Sequence, residues 1–230
     1  MDNEMMDLEQ LASYLKRDVR EVSKLANRGY LPGHKVSGQW RFAPAEINYW
    51  LETQMHSYTE EELLALDNQP APAPLISSML SEATMAVPLP AGTRASVLKE
   101  LVKLAEQTWQ VYDPEVVLSA IKQREDMGST ALGSGVAIPH PRRPLPQALG
   151  ESVLAYGRTA SGVPFGAPHG NLTDIFFLVC CRDQRTHLHV LARLSRMMLR
   201  PGFLEELRAA QTVSESFHII ANAERDLITN

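Results

Sequence analysis

The chain has 230 residues, of which 44% are hydrophobic and 21% are charged, and its formal net charge is −5 at pH 7. These proportions are typical of a soluble globular protein, and the negative balance argues against a protein that coats nucleic acid indiscriminately. No apolar run approaches the roughly 20 residues of a membrane span, and the acidic N-terminus lacks the features of a signal peptide. Composition therefore predicts a cytoplasmic protein without a membrane segment. The two cysteines, Cys180 and Cys181, are adjacent, and we expect them to be reduced thiols in the core.

The clearest change in composition lies in residues 59–78, TEEELLALDNQPAPAPLISS. Proline lacks a backbone donor and restricts the residue before it, so QPAPAP is typical of a semi-extended linker. We therefore divide the chain into a first domain at 1–55, a linker at 56–76 and a second domain at 77–226.

The first domain is predicted to be a small, mainly helical unit with one hairpin. Asp18 is a good helix cap, and Gly29 marks the end of the helix that follows it. Apolar residues on both sides of Ser37 and Gly38 favour a tight hairpin. The predicted elements are helices at 8–15, 18–28 and 43–54 and a hairpin at 31–42.

The second domain alternates between helical and strand patterns. Asp113 and Pro114 are typical of a helix start, and the apolar run DIFFLVCC is suited to a buried strand. Helices are predicted at 93–108, 113–126, 186–199, 201–211 and 213–224, and strands at 134–140, 151–159 and 173–181. This alternation predicts an α/β fold with a central mixed sheet flanked by helices.

Basic residues are concentrated between residues 16 and 41, where seven of them oppose Asp18 and Glu21, a local charge of +5. A basic stripe on the second helix suits phosphates or base edges in a DNA major groove, and the hairpin could follow the backbone as a wing. A solvated face or a protein-docking module is the alternative. The candidate DNA-binding residues are Arg17, Arg20, Lys24, Arg28, Lys35 and Arg41.

The same segment, LEQLASYLKRDVREVSKLANRGYLPGHKVSGQWRFAPAEINYWLE, resembles the small winged helix-turn-helix of the excisionase and MerR families. Its first helix ends near YL, its second is followed by GYLP, and GQWRF leads into the last helix. The resemblance implies DNA contact through the second helix and the wing. One domain of this size binds DNA weakly alone, so a DNA role favours a homodimer or a partner protein.

A second motif is the glycine-rich stretch GSTALGSGVAIPHP at 128–141. Arg124 ends the preceding helix, Ser129 and Thr130 follow in the loop, and His140 closes the next strand. Glycines let backbone amides approach an anion, and the planar fork of arginine suits phosphate oxygens. A neutral imidazole is a competent nucleophile toward phosphorus at neutral pH. Together these groups could hold a phosphoryl group on a histidine.

Two further histidines lie two residues apart at the start of a predicted helix. His187 falls in the apolar stripe and is predicted to face the sheet, where it could donate a hydrogen bond to an anion near the positive helix end. A hydrogen-bonded core histidine is the alternative. His189 falls in line with Arg193 and Arg196 and is predicted to face solvent. A metal site at His140 and His187 is not expected, because no carboxylate or cysteine has motif spacing.

The stretch QREDMGSTALGSGVAIPH is similar to the signature of the enzyme IIA domain of the bacterial phosphoenolpyruvate-dependent phosphotransferase system, of the fructose/mannitol/nitrogen type. DIFFLVCCRDQRTHLHVLARLSRMM resembles the block that carries the family's second histidine, and LEELRAAQTVSESFHII resembles the closing helices. The resemblance covers roughly residues 75–225.

This resemblance implies a phosphohistidine carrier with an enzyme IIA-like fold. His140 would accept a phosphoryl group through Nε2 from an HPr-type phosphocarrier, and His187 would match the supporting histidine. Arg124, Ser129 and Thr130 would match the phosphate-binding rim. Transfer would rely on positioning and charge, with no cofactor or metal.

The sequence departs from the family pattern next to the nucleophile. Ala131 occupies a common glycine position, Pro141 follows His140, and Arg142 and Arg143 add positive charge that could hold phosphate or recruit an acidic partner. These departures leave the carrier partner open.

Three functions remain open, as does the question of whether the protein is an enzyme. The leading hypothesis is a regulator that couples a DNA-binding module to phosphorylation of His140. The second is an enzyme IIA subunit that passes phosphate to a separate IIB, with the small domain as a docking module. The third is an interaction protein that is not phosphorylated.

Overall fold

The computed structural model describes residues 5–55, 58–67 and 74–229. It divides into two compact units, Met1–Thr59 and Glu60–Asn230. The division falls inside the predicted linker at 56–76, and all of QPAPAP except Pro74 lies outside the described residues. Among the described residues, no helix is long and apolar enough to cross a membrane.

The first unit contains the predicted helices and hairpin. Asp18 caps the second helix, since its carboxylate accepts a hydrogen bond from the Arg20 amide at 2.8 Å. Ser37 and Gly38 have φ values of +50° and +81°, the left-handed pair that a tight two-residue hairpin requires. The elements are α1 (Leu8–Leu15), α2 (Val19–Asn27), β1 (His34–Val36), β2 (Gln39–Arg41) and α3 (Pro44–Gln54).

Phe42 anchors the hairpin in the small core of this unit. It is fully buried, and its backbone exchanges two hydrogen bonds of 2.9 Å with that of Met6. Burying one such side chain contributes roughly 1.5–3 kcal/mol. The other buried apolar residues of this unit include Leu11, Val22, Ala26, Leu31 and Ile47. Because α2 turns Val22 and Ala26 inward, its basic residues lie on the outward face.

The second unit is an α/β fold, as predicted. Its four-stranded sheet has the order β3-β5-β6-β4, with β3 parallel to β5, β5 antiparallel to β6, and β4 parallel to β6. All five predicted helices and all three predicted strands are present. The strand at 134–140 is shorter than predicted, and β3 was not predicted. The elements are α4 (Glu60–Asp67), α5 (Ile76–Met79), β3 (Met85–Ala86), α6 (Arg94–Glu106), α7 (Pro114–Asp126), β4 (Val136–Ala137), β5 (Val153–Val163), β6 (Thr173–Cys180), α8 (Gln184–Leu199), α9 (Phe203–Ala209) and α10 (Val213–Thr229).

From Ile175 to Cys180, β6 is apolar because both faces of the sheet are covered. Phe176, Leu178 and Cys180 belong to the core cluster that also contains residues of α6 and α7. The alternating residues Ile175 and Phe177 are equally buried, and side chains alternate between faces along a strand. The run DIFFLVCC therefore reflects burial on two sides.

The two cysteines are free and buried, in agreement with the sequence prediction. Burial raises the pKa of the Cys180 thiol to about 12, and it also raises the pKa of Cys181, with the neighbouring Cys180 acting in the same direction. Both thiols are therefore protonated at neutral pH, a form with little nucleophilic reactivity.

Helix α4 lies in the segment that the sequence analysis predicts as a linker. It contacts α8, and Leu63 and Leu66 are buried. Its last residue, Asp67, is also buried, and its carboxylate forms ion pairs with Arg196 and, at 3.0 Å, with Nε of Arg193. The prolines of QPAPAP are the features that predict a linker. The preceding stretch EEELLALD forms a helix, and packing against α8 stabilises it.

The predicted exposure of His189 was wrong. Only 2% of this side chain is exposed, and its Nδ1 lies 3.2 Å from Oδ1 of Asp67. Arg193 and Arg196, which share its stripe, are also buried. Because α4 covers this face of α8, the polar stripe is an internal ionic contact. Burial lowers the pKa of His189, and the charge of Arg193 acts in the same direction.

We expect Asp67→Asn to lower the free energy of unfolding by about 3–5 kcal/mol, because it leaves two buried guanidinium groups without their shared carboxylate. Chemical denaturation measures this loss. The control is Asp226→Asn, which breaks the exposed ion pair with Arg200 and should cost at most about 1 kcal/mol. Equal, small losses in both variants would contradict a stabilising role for the Asp67 cluster.

Candidate functional site

The edge of the sheet where β4 and β6 end brings His140 and His187 together. The two strands are parallel, with Ala137 opposite Phe176. A further hydrogen bond of 3.0 Å from the Val179 amide to the Pro139 carbonyl extends this pairing to the residue before His140. Because β6 leads directly into α8, the first turn of that helix lies at the same edge.

The two imidazole rings are 5.1 Å apart between centroids and meet edge to face at 60°. Both histidines are buried, with 4% of His140 and 3% of His187 exposed. The prediction that His187 faces inward is therefore confirmed. This arrangement places a second ring within reach of any group bound to the first.

The tautomer of His140 is set by a backbone carbonyl. Its Nδ1 lies 2.7 Å from the carbonyl oxygen of Ile138. A carbonyl oxygen only accepts hydrogen bonds, so Nδ1 carries the hydrogen and, in the neutral ring, Nε2 holds the lone pair. Nε2 is therefore the nucleophilic nitrogen of this residue.

His187 lies in the first turn of α8. Asp183 caps this helix by accepting hydrogen bonds from the amide of Thr186 at 2.8 Å and from its hydroxyl at 2.7 Å. The positive end of the helix dipole favours negative charge nearby. The location of His187 therefore suits a hydrogen bond to an anion.

The loop after α7 is held by its own hydroxyl groups. Ser129 Oγ donates to the Phe165 carbonyl at 2.8 Å and accepts from the Ala131 amide at 3.1 Å. The hydroxyl of Thr130 donates to the Glu125 carboxylate, which also accepts the Thr130 amide at 3.3 Å. The structure thus shows these groups organising the loop, and their contact with an anion stays a prediction.

Glu125 was not singled out by the sequence analysis. It is 2% exposed, and burial raises its pKa, against the opposing effects of the Thr130 hydrogen bonds and of Arg94. Arg124, beside it, is also buried and donates to the Gly128 carbonyl at 2.9 Å. A negative charge in the last turn of a helix is unfavourable because that end of the helix dipole is also negative. The position of Glu125 in the sequence was therefore a sign that its carboxylate has a specific partner.

The loop is joined to β4, the strand that precedes His140, by a tight turn. The Ile138 amide donates to the Thr130 carbonyl at 3.3 Å, and Ala131 pairs with Ala137. Gly135 lies in this turn with φ +85°, and a Cβ there would lie 2.6 Å from the Arg208 guanidinium. The turn therefore requires glycine.

In the first unit, the predicted basic stripe is present on the surface. Arg20, Lys24 and Arg28 are exposed at four-residue intervals on and just after α2. Arg17 forms an ion pair with Glu21 at 2.8 Å. The stripe thus carries three exposed cations and a fourth, Arg17, that precedes α2 and pairs with Glu21 of the helix.

The hairpin is linked to α2 by Trp40. Its Nε1 donates to the Asn27 side chain at 3.3 Å, and Nζ of Lys35 lies 5.1 Å from its ring centroid. Arg41 donates to the Trp40 carbonyl at 3.1 Å and to the Gln39 side chain at 3.0 Å. Lys35 is therefore the exposed cation of the hairpin, while Arg41 bonds to its own strand.

Comparison with known proteins agrees with this geometry. The family described as "Phosphoenolpyruvate-dependent sugar phosphotransferase system, EIIA 2" matches residues 78–223, more than half of the chain. The chain belongs to the EIIA 2 family. A second family, "Helix-turn-helix domain", matches residues 5–55. Both resemblances found in the sequence, an EIIA domain and a helix-turn-helix domain, are confirmed.

Individual relatives of the EIIA domain differ in their described roles. The "Nitrogen regulatory protein" of Escherichia coli (strain K12) is 34% identical over 113 residues, which cover 48% of this chain and 68% of that protein. The "PTS system fructose-specific EIIABC component" of Bacillus subtilis (strain 168) is 26% identical over 147 residues, which cover 63% of this chain but 23% of that protein. The chain therefore spans less than a quarter of that multidomain relative.

A solved structure gives the same architecture. The crystal structure of Nitrogen Regulatory Protein IIA-Ntr from Neisseria meningitidis has 26% sequence identity and a TM-score of 0.57. The structural alignment covers 63% of this chain and 98% of the solved chain. The second unit therefore corresponds to an entire EIIA fold.

We expect Ser129→Ala to loosen the loop of the EIIA domain, because the Ala131 amide loses its acceptor. A hydrogen bond of this kind contributes about 0.5–1.5 kcal/mol, so the Ala131 amide should exchange its hydrogen roughly 2- to 12-fold faster. Hydrogen exchange measures this change. Ser134→Ala, an exposed position in the same loop, is the control, and unchanged exchange at Ala131 in Ser129→Ala would contradict the prediction.

Proposed function

We propose that the protein is a regulator in which a DNA-binding helix-turn-helix domain is joined to an EIIA domain that an HPr-type phosphocarrier phosphorylates on His140. The observation that carries this proposal is the hydrogen bond from Nδ1 of His140 to the Ile138 carbonyl, with His187 beside the same ring. In this proposal both the phosphoryl donor and the DNA are cytoplasmic.

The proposed reaction transfers a phosphoryl group between two histidines. The lone pair on Nε2 of His140 attacks phosphorus in line, and the P–N bond to the carrier's histidine breaks as the new P–N bond forms. The carrier's imidazole recovers the bonding electron pair. Nδ1 keeps its hydrogen and continues to donate it to the Ile138 carbonyl, which holds the ring in orientation throughout.

His187 would support the phosphoryl group after transfer. Its ring is adjacent to that of His140, and the first turn of α8 favours negative charge. A donated hydrogen bond from His187 to a phosphoryl oxygen would lower the energy of the charge that develops during transfer. Arg124, Ser129 and Thr130 are proposed to shape the rim of this pocket.

The DNA-binding part of the proposal rests on the exposed cations of α2. A helix with Arg20, Lys24 and Arg28 on one face suits the major groove, and Lys35 on the hairpin suits the adjacent backbone. Arg17 and Arg41 complete the predicted surface, although both bond to neighbouring protein groups. A homodimer would supply a second helix to the DNA.

A second candidate function is a phosphocarrier subunit that passes the phosphoryl group to a separate IIB protein. The match to the fructose-specific EIIABC component favours this alternative. In that case the helix-turn-helix domain would dock onto a protein and would not bind DNA.

We expect His140→Ala to abolish acid-labile phosphorylation in the presence of phosphoenolpyruvate, enzyme I and an HPr-type carrier. Intact mass measures the added phosphoryl group. His187→Ala should remain an acceptor but gain phosphate more slowly, because only its support of the phosphoryl oxygens is lost. The control is His218→Ala, an exposed position on α10, and full labelling of His140→Ala would place the acceptor elsewhere.

For DNA binding, we expect Arg20→Ala combined with Lys24→Ala to weaken affinity for duplexes of every sequence. Each lost phosphate contact should reduce the slope of log affinity against log salt by about 1. Titrations of the full chain at several salt concentrations measure this slope.

The matched control is Lys99→Ala combined with Lys122→Ala, two exposed lysines of the EIIA domain. Affinity and salt slope should be those of the unmodified protein. If neither pair of substitutions alters DNA binding, or if no duplex binds, the docking alternative is favoured over DNA recognition.

A further inference from the structure

Arg208 and Asp174 form a fork of hydrogen bonds beside the turn that precedes β4, and we call this pair the turn clamp. Nε of Arg208 donates to Oδ2 of Asp174 at 2.8 Å, and Nη2 donates to Oδ1 at 2.9 Å. Nη2 also donates to the Ser134 carbonyl at 2.7 Å. One guanidinium therefore joins the last turn of α9 to β6 and to the turn before β4.

Asp174 bonds to the same turn a second time, through its backbone. The amides of Asp174 and Ile175 both donate to the Gly135 carbonyl, at 2.9 Å and 3.2 Å. Because β4 itself has only two residues, these bonds add to the few that align it with β6. The turn clamp therefore acts at the point where the register of β4 begins.

The clamp is supported from β5 by a second arginine. The guanidinium of Arg158 donates to the carbonyl of Ala210 at 2.8 Å and to the carbonyl of Arg208. Carbonyls at the end of a helix lack partners within the helix, so Arg158 supplies donors for the end of α9. Side-chain and backbone bonds therefore link β5, α9, β6 and the turn before β4 in one continuous network.

The other end of β4 leads into the contact that sets the tautomer of His140. Ile138 follows Ser134 by four residues, and its carbonyl accepts the hydrogen of Nδ1 at 2.7 Å. A hydrogen bond weakens steeply when its distance or angle changes. A slip at the start of this short strand would move the Ile138 carbonyl away from Nδ1. The ring would then be free to hold its hydrogen on Nε2, where it blocks attack on phosphorus.

We propose that Arg208 is a positioning residue for phosphoryl transfer at His140. Through the turn clamp it fixes the register of β4, and through the Ile138 carbonyl that register fixes the orientation and the tautomer of the imidazole. This inference rests on the proposed phosphorylation of His140. Arg208 bonds to the turn at the start of β4, whereas His140 follows the end of that strand, so we expect no contact between Arg208 and the donor.

The first variant is Arg208→Lys, which keeps the positive charge but removes the planar fork that holds the carboxylate and the turn together. The second is Asp174→Asn, which removes the carboxylate and keeps the backbone bond to the turn. If Arg208→Lys does not fold, Asp174→Asn decides by the same criteria. The control is Arg200→Lys, the same substitution in the ion pair between Arg200 and Asp226. Urea denaturation selects conditions in which every variant is fully folded, so that lost stability does not lower the measured rates.

The first measurement is the tautomer of His140 in the isotope-labelled full chain. Proton–nitrogen correlation spectra of the ring distinguish a hydrogen on Nδ1 from one on Nε2, and the spectrum of His140→Ala assigns the signals. In the unmodified protein and in Arg200→Lys, we expect the neutral ring to carry its hydrogen on Nδ1. In Arg208→Lys and in Asp174→Asn, we expect a second population with the hydrogen on Nε2.

The second measurement is the rate of phosphorylation by a phosphorylated HPr-type carrier and by phosphoramidate. In Arg208→Lys the maximal rate constant with the carrier should fall by roughly tenfold or more, because a misplaced nucleophile slows the chemical step. The carrier concentration that gives half of this rate should be unchanged. The rate with phosphoramidate should fall by a similar factor. Combining Arg208→Lys with Asp174→Asn should cost no more than Arg208→Lys alone, because both substitutions break one clamp.

In a folded Arg208→Lys protein, an unchanged tautomer of His140 would overturn the positioning role, and so would an unchanged maximal rate constant. A loss of rate with the carrier alone would also overturn it, since that result assigns Arg208 to contact with the donor. The proposed function fails separately. If neither donor labels the unmodified protein, phosphorylation of His140 is contradicted, while the tautomer in Arg208→Lys still decides whether the turn clamp positions the ring.

Discussion

The parallel pairing of β4 with β6 is the constraint on which the candidate site depends. β4 has only two residues, Val136 and Ala137, yet its register against β6 decides where His140 lies relative to His187. A shift of one residue would turn every side chain of β4 to the other face of the sheet. The hydrogen bond to the Pro139 carbonyl extends the pairing to the residue before His140, so the candidate site is aligned by backbone geometry.

The glycine-rich loop owes its shape to buried polar contacts. Burying a carboxylate such as that of Glu125 is costly unless donors satisfy it, and the Thr130 hydroxyl and amide supply them. Ser129 connects the same loop to Phe165. These bonds fix the loop before any ligand arrives, and a preorganised site of this kind avoids the cost of ordering it during a reaction.

Helix α8 makes contacts within the second unit on two opposite faces. His187 lies at the sheet edge beside His140, whereas His189 and Arg193 contact Asp67 of α4. Two residues along a helix point about 200° apart, since each residue turns it by about 100°. The helix that carries the second histidine is therefore held from both sides, by the sheet and by an ionic cluster.

The sequence by itself determined the elements whose signals are local. Asp18 and Asp113 are caps that act within one helical turn, and the Ser37–Gly38 turn forms where two left-handed residues are tolerated. The loop signature of the EIIA family was recognisable for the same reason, since it is one continuous stretch of the chain. Only the tertiary structure decided that His189 is buried and that Glu125 binds Thr130. Whether a helix face is covered, and how a loop closes, depends on contacts made in the folded chain. Local sequence patterns do not reveal those contacts.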